Sequence, residues 1–158
     1  MFKTKTKDIF TVFSRIRNIL DLDGELSEIA VNQNQIIFEC SNIIEFHKFN
    51  ALRVLMGIDP NDITTFENKL FVAYRGILDN NEEITSEPKL LMNTIQEVSN
   101  YVCKCPILEM RISNEYIKVY LDKPNIKISD IIKLDEIFSS EGVLQTGEQR
   151  AYVLYVND

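Results

Sequence analysis

Thr65 to Tyr74 reads T-F-E-N-K-L-F-V-A-Y, and Thr146 to Tyr155, 81 residues later, reads T-G-E-Q-R-A-Y-V-L-Y. Four of the ten positions are identical: Thr, Glu, Val and Tyr. In a chain of 158 residues this offset is close to half the length, so the sequence reads as one unit written twice. Repeated units stack because one alone cannot bury its apolar face. Two fused copies behave like a homodimer in a single chain, with a pseudo-two-fold axis.

The remaining segments can be laid on that offset. Ile9, Val12, Phe13, Ile16, Ile19 and Leu20 recur at three- and four-residue spacing, which predicts a helix over 7–22, with Gly24 placed to cap it. Two short runs, 27–31 and 35–40, flank the turn-forming Asn32-Gln33-Asn34 and predict a hairpin. A second helix is expected over 42–56, between Asn42 and Gly57. Residues 63–76 fit a helical stripe or two strands. The β-rich run 70–74, and Gly147 at the turn of the second copy, favour a hairpin. The second half repeats the order: a helix over 89–103 after Pro88, a hairpin over 107–112 and 116–121, a helix over 129–138, and a last hairpin ending at Val156. The expected fold class is α+β. Two tandem αββαββ repeats, residues 1–83 and 84–158, pack as one compact unit in a pseudo-two-fold arrangement, with four helices on antiparallel sheet.

Charge narrows the partners. The net charge is −7, from 24 acidic and 17 basic residues, which argues against general binding to nucleic-acid phosphates. The acidity is uneven: Lys3, Lys5, Lys7, Arg15 and Arg17 face only Asp8 in the first 17 residues. A basic arm of this kind either steers an acidic partner or is a solvated helix face. No apolar run approaches the ~20 residues of a membrane-spanning helix, and no signal-peptide pattern opens the chain. Three cysteines are too few and too odd in number for a disulfide framework, so a cytoplasmic setting is expected.

Sequence signatures of chemistry are sparse. There is no glycine-rich phosphate loop. Asp21-Leu-Asp-Gly24 begins like a calcium loop but lacks the glycine and glutamate that such a loop needs at positions six and twelve. Cys103-Lys-Cys105 could combine only with Cys40 and His47, which form no close ligand pair, so neither metal nor cofactor is expected. His47 is the sole histidine, and no nucleophile can be set beside it, so no catalytic residue is named. The repeated Thr-x-Glu-x-Lys/Arg unit is the better candidate. On a strand, Glu67 and Lys69, and again Glu148 and Arg150, would share one face. They would form either a partner-binding edge presented twice or solvent-facing ion pairs worth at most about 1 kcal/mol.

The expected function is a non-enzymatic intracellular protein-binding module of adaptor, inhibitor or small-chaperone type. Its partner would be a protein, with a homo-oligomer as a further arrangement and with neither nucleic acid nor membrane. The alternative is a small-molecule sensor or enzyme with a pocket between the repeats, lined by Tyr74, Tyr155, Arg53 and His47.

Overall fold

The computed structural model describes residues 5–19, 26–32, 35–43, 45, 47–48, 50–51, 60–73, 107–121, 126–146 and 151–157. Two helices stand out among them, α1 (Lys5–Ile19) and α2 (Ile128–Phe138). The strands are β1 (Leu26–Val31), β2 (Gln35–Cys40), β3 (Ile63–Phe66), β4 (Lys69–Ala73), β5 (Ile107–Ile112), β6 (Tyr116–Leu121), β7 (Val143–Thr146) and β8 (Ala151–Val156). All eight join one antiparallel sheet in the order β3-β4-β2-β1-β5-β6-β8-β7.

This corrects the expected fold class. Among the described residues the chain is mostly sheet, with α1 and α2 as its two long helices where four were expected, and it does not form a pair of αββαββ repeats. Within the expected second helix, residues 47, 48, 50 and 51 are helical, but Asn42 and Ile43 are not. The expected helix over 89–103 lies outside the described residues. An internal duplication is not shown either. Strand order is palindromic about the β1–β5 pair, yet the matching decapeptides do not occupy matching registers. Leu70 lies opposite Phe38 and Val72 opposite Ile36, whereas Val153 lies opposite Val119 and Tyr155 opposite Ile117. An offset of 81 carries Phe38 onto Val119 but carries Leu70 onto Ala151, two residues short of Val153. The slip lies between each hairpin and its neighbour: β3–β4 and β7–β8 pair alike at that offset, Thr65 with Leu70 and Thr146 with Ala151, while β8 is displaced by two residues along β6 compared with β4 along β2.

Alternation builds the core. Ile36, Phe38 and Cys40 of β2, Leu70 and Val72 of β4, Ile117, Val119 and Leu121 of β6, and Val153 and Tyr155 of β8 all point to one face and are buried. Ile9, Val12, Phe13 and Ile16 of α1 cover that face, as do Leu134, Ile137 and Phe138 of α2. Each large apolar side chain so buried contributes roughly 1.5–3 kcal/mol over its exposed state. Irregularities at Leu26/Glu28 and Ile107/Glu109 reset the alternation at the starts of β1 and β5, so Glu28 and Glu109 turn to the opposite face.

The helices are tied at their ends. The Thr6 hydroxyl donates to the carbonyl of Phe138, one of the terminal α2 carbonyls with no partner inside the helix. At the other end of α2, the buried Asp130 carboxylate accepts from the Lys127 amide at 3.0 Å. The helix closes on Ser139 in the left-handed conformation, φ 52°.

Candidate binding surface

The sheet leaves two outer strands, β3 and β7. An outer strand presents unpaired N–H and C=O groups along one side, and proteins usually guard it with charge, proline or a covering element. Neither Ile63-Thr-Thr-Phe66 nor Val143-Leu-Gln-Thr146 contains a charge or a proline. The apolar exposure is lopsided. Of the seven large apolar side chains exposed among the described residues, Ile128, Ile132, Val143, Leu144 and Val156 come from the α2–β7–β8 segment, which singles out β7 over β3. Val143 and Leu144 are 53% and 39% exposed although they point to opposite faces of the strand. Ile128 and Ile132, one turn apart on α2, are 77% and 54% exposed.

β7 is set in place by a small polar joint. Oδ1 of Asp135, on α2, accepts from the Gly142 amide and from the Tyr155 hydroxyl, both at 2.9 Å. Tyr155 is fully buried, and its ring lies 4.7 Å from that of Phe138, centroid to centroid. Burial, then the hydrogen bond and charge of Asp135, push the Tyr155 phenol far above its ordinary pKa, so it remains a neutral donor. Gly142 must be glycine for space. A Cβ there would run into Val153 Cγ1 and would stand 2.8 and 2.9 Å from Cζ and Cε1 of Tyr155.

The face of the sheet away from the helices carries a second polar group. Arg111 pairs with Glu109 two residues back on β5 and, at 3.6 Å, with Glu28 on β1. Burial works against the Arg111 charge, but the Glu109 hydrogen bond and the Glu109 and Glu28 charges outweigh it, so its pKa rises. The Tyr116 hydroxyl donates to Glu28 at 2.6 Å. Burial first, then this bond, push the Tyr116 phenol up to about 12. Lys118 Nζ lies 4.5 Å from the Tyr116 ring centroid and 5.2 Å from that of Tyr152. Every member of this cluster has a neighbour that satisfies it, and the cluster spans the β1–β5 joint, so its chemistry is that of a clasp.

Of the residues singled out from sequence, those described do not form one site. Glu67 is not on a strand beside Lys69. It occupies the β3–β4 turn with φ 54°, and the side chain of the next residue, Asn68, donates to the carbonyl of Cys40 at 2.6 Å. Lys69 instead pairs with Glu39 across the sheet at 3.5 Å. The same-face pairing fails because two residues between the strands leave Glu67 to make the reversal. Glu148 and Arg150 lie outside the described residues, as do Tyr74, Arg53, Cys103 and Cys105. His47 is 72% exposed and pairs with Glu45 at 3.3 Å. Tyr155 belongs to the core joint described above, and Cys40 is a buried thiol.

Sequence reasoning missed Asp135, Gly142, Glu28, Glu109 and Arg111. The one signal for them was a charged residue within an otherwise apolar strand or helix pattern. Among the described residues, no three His, Cys, Asp or Glu side chains are grouped to hold a metal ion, and no helix is long and apolar enough to cross a membrane. Comparison with protein-family models, with curated proteins and with solved structures finds no match, so the surface itself carries the functional argument.

Proposed function

We propose that the chain is a non-enzymatic, cytoplasmic protein-binding module that takes an extended segment of a partner protein onto the outer edge of β7. The observation that carries this reading is an unguarded outer strand with both Val143 and Leu144 exposed. Strand addition at such an edge draws affinity from main-chain hydrogen bonds and specificity from contacts with alternate side chains. The apolar exposure on both faces of β7 suits a partner strand whose apolar side chains flank the edge above and below. Adaptor, inhibitor and small-chaperone roles all use such a contact, and they differ in what the partner does once held.

The test uses peptides selected from a random display library on the immobilised full chain. Hydrogen exchange is then measured with and without the selected peptide at saturation. Slowed exchange in β7 is expected. A Val143→Lys/Leu144→Glu double variant should bind at least about tenfold more weakly. Its stability should stay within about 0.5 kcal/mol of the parent, because both positions are at the surface. Protection confined to other strands, or undiminished binding by the double variant, would show that β7 is not the site.

A further inference from the structure

The other outer strand, β3, is uncharged and four residues long. Which of its main-chain groups are committed follows from the ladder beside it. The Asn68 carbonyl accepts from the Cys40 amide at 3.0 Å, so residue 68 and, by alternation, Leu70 and Val72 turn their N–H and C=O groups toward β2. Lys69 and Phe71 turn theirs toward β3, where Phe66 and Thr64 stand opposite them. Ile63 and Thr65 therefore direct their N–H and C=O groups to the outer edge. Thr64, Thr65 and Phe66 are exposed, Phe66 at 65%.

From this pattern we infer that the β3 edge is a self-association surface, and that its occupant is β3 of a second copy of this chain, running antiparallel about a two-fold axis through Thr64. A contact on a two-fold axis must be complementary to itself. The register that uses every outward group sets Ile63 opposite Thr65 of the second copy, twice, with the two Thr64 residues facing each other on the axis. It joins the outward groups in four main-chain hydrogen bonds. A slip of one residue would set an outward group against one already used in the hairpin. All three pairs bring β-branched side chains together, and Thr–Thr pairs of this kind support sheets. With no charge in the strand, no like charges meet. Each Phe66 extends past the pairs to the Pro60–Asp62 turn of the second copy. The contact closes on itself, so association stops at two copies. The joined sheet doubles the eight strands and carries β7 at both ends, which presents the proposed partner-binding edge twice. Four strand residues a side fall well short of the about 20–30 of a stable interface, so the dimer is weak, with a dissociation constant on the order of 0.1 mM. Each copy carries a net charge of −7, which opposes the contact until salt screens it.

Sedimentation equilibrium of the full chain, from about 0.01 to about 1 mM, measures the association. A monomer–dimer equilibrium is expected, tightening as salt rises from about 0.05 to about 0.5 M. Thr64→Lys sets two like charges against each other on the axis and should weaken the dimer at least about tenfold. Thr64→Glu should do the same, and an equimolar mixture of the two variants should recover the parent's association. Thr65→Pro removes an outward N–H and leaves the β3–β4 ladder whole; it should also weaken the dimer at least about tenfold. Circular dichroism checks that each variant is folded. The Val143→Lys/Leu144→Glu variant should dimerise like the parent, which separates this contact from the edge at β7. The inference is overturned by a monomer at every concentration, by association past two copies, or by loss of the dimer in the β7 variant. It is equally overturned by indifference to Thr64→Lys and Thr65→Pro, or by a mixture of the two Thr64 variants that associates no better than either alone.

Discussion

Replacing Gly142 by alanine sets two effects of opposite sign against each other. Gly142 has no left-handed backbone requirement, so alanine would ordinarily stabilise the fold by about 0.4–1 kcal/mol through a less flexible unfolded chain. Against this stands the space. The new methyl would overlap Val153 Cγ1 and press on the Tyr155 ring at 2.8 Å. The ring has little room to retreat, because Phe138 lies against it and Asp135 holds its hydroxyl. Overpacking of this kind costs about 1–3 kcal/mol. If the backbone moves instead, the Gly142 amide leaves Asp135, and a hydrogen bond to a charged group is worth about 1.5–3 kcal/mol. The clash wins on either route, with a net loss of up to about 2.5 kcal/mol. At roughly 2–4 °C per kcal/mol for a chain of this size, Tm should fall by up to about 10 °C.

Urea unfolding followed by circular dichroism measures the loss, and a double-mutant cycle assigns it. Val153→Ala removes the first atom the methyl meets and on its own costs about 2 kcal/mol. In that background Gly142→Ala should cost at least about 1 kcal/mol less than in the parent, the size of coupling expected of groups in contact. Additive effects, or an alanine variant as stable as the parent, would refute the packing argument for this joint.

Three further outcomes test other parts of the structure. Arg111→Met should cost about 2–3 kcal/mol in urea unfolding, because Glu28 and Glu109, at 13% and 16% side-chain exposure, lose their shared cation; adding Glu109→Gln should recover part of it. Tyr155 and Tyr116 ionise at higher pH in the fold than the ~10 of a free phenol. Their contribution is therefore complete below about pH 10 and is lost as pH climbs toward the folded values. Tyrosinate absorbance during alkaline unfolding should show Tyr155 titrating only with the cooperative transition, a component absent from Tyr155→Phe; ionisation of Tyr155 ahead of unfolding would contradict its burial. Glu67→Gly should raise stability by about 0.5 kcal/mol, since glycine accepts φ 54° without penalty but loses more chain entropy. Unchanged partner binding by that variant would confirm that Glu67 serves the turn.

The strands were legible because each pattern is local. Gln35 to Cys40 alternates so regularly that its buried face, Ile36, Phe38 and Cys40, can be read directly. The α1 stripe of Ile9, Val12, Phe13 and Ile16 is equally local. What sequence could not supply was register. Identity at Tyr74 and Tyr155 suggested equivalent positions, yet Tyr155 occupies the place that Val72 holds in the first half, because β8 is displaced by two residues along β6 compared with β4 along β2. The Glu28–Arg111–Glu109 clasp was hidden for a related reason. It exists only after two irregularities turn the glutamates outward and β1 pairs with β5, a contact between residues about 80 apart in the chain. The edge was hidden as well, since no local pattern says that β7 ends the sheet.

If β7 receives a partner strand as proposed, the joint at Gly142 and the edge at β7 act together. A strand that receives a partner must already be extended, or part of the binding free energy is spent ordering it. β7 has only four residues, all but one of them exposed, so its own side chains do little to hold it. It is held at its entrance instead: Gly142 packs under Tyr155, its amide is fixed by Asp135, and Asp135 is anchored on α2. Loosening that entrance should therefore weaken peptide binding without altering any residue on the edge. Gly142→Ala should show the two losses together, in stability and in affinity for a β7-selected peptide. Restoring stability with an osmolyte should not restore affinity in full, because the geometry of the entrance stays changed. Full recovery would mean that Gly142 affects binding only through the folded fraction, and that β7 is extended without help from the joint.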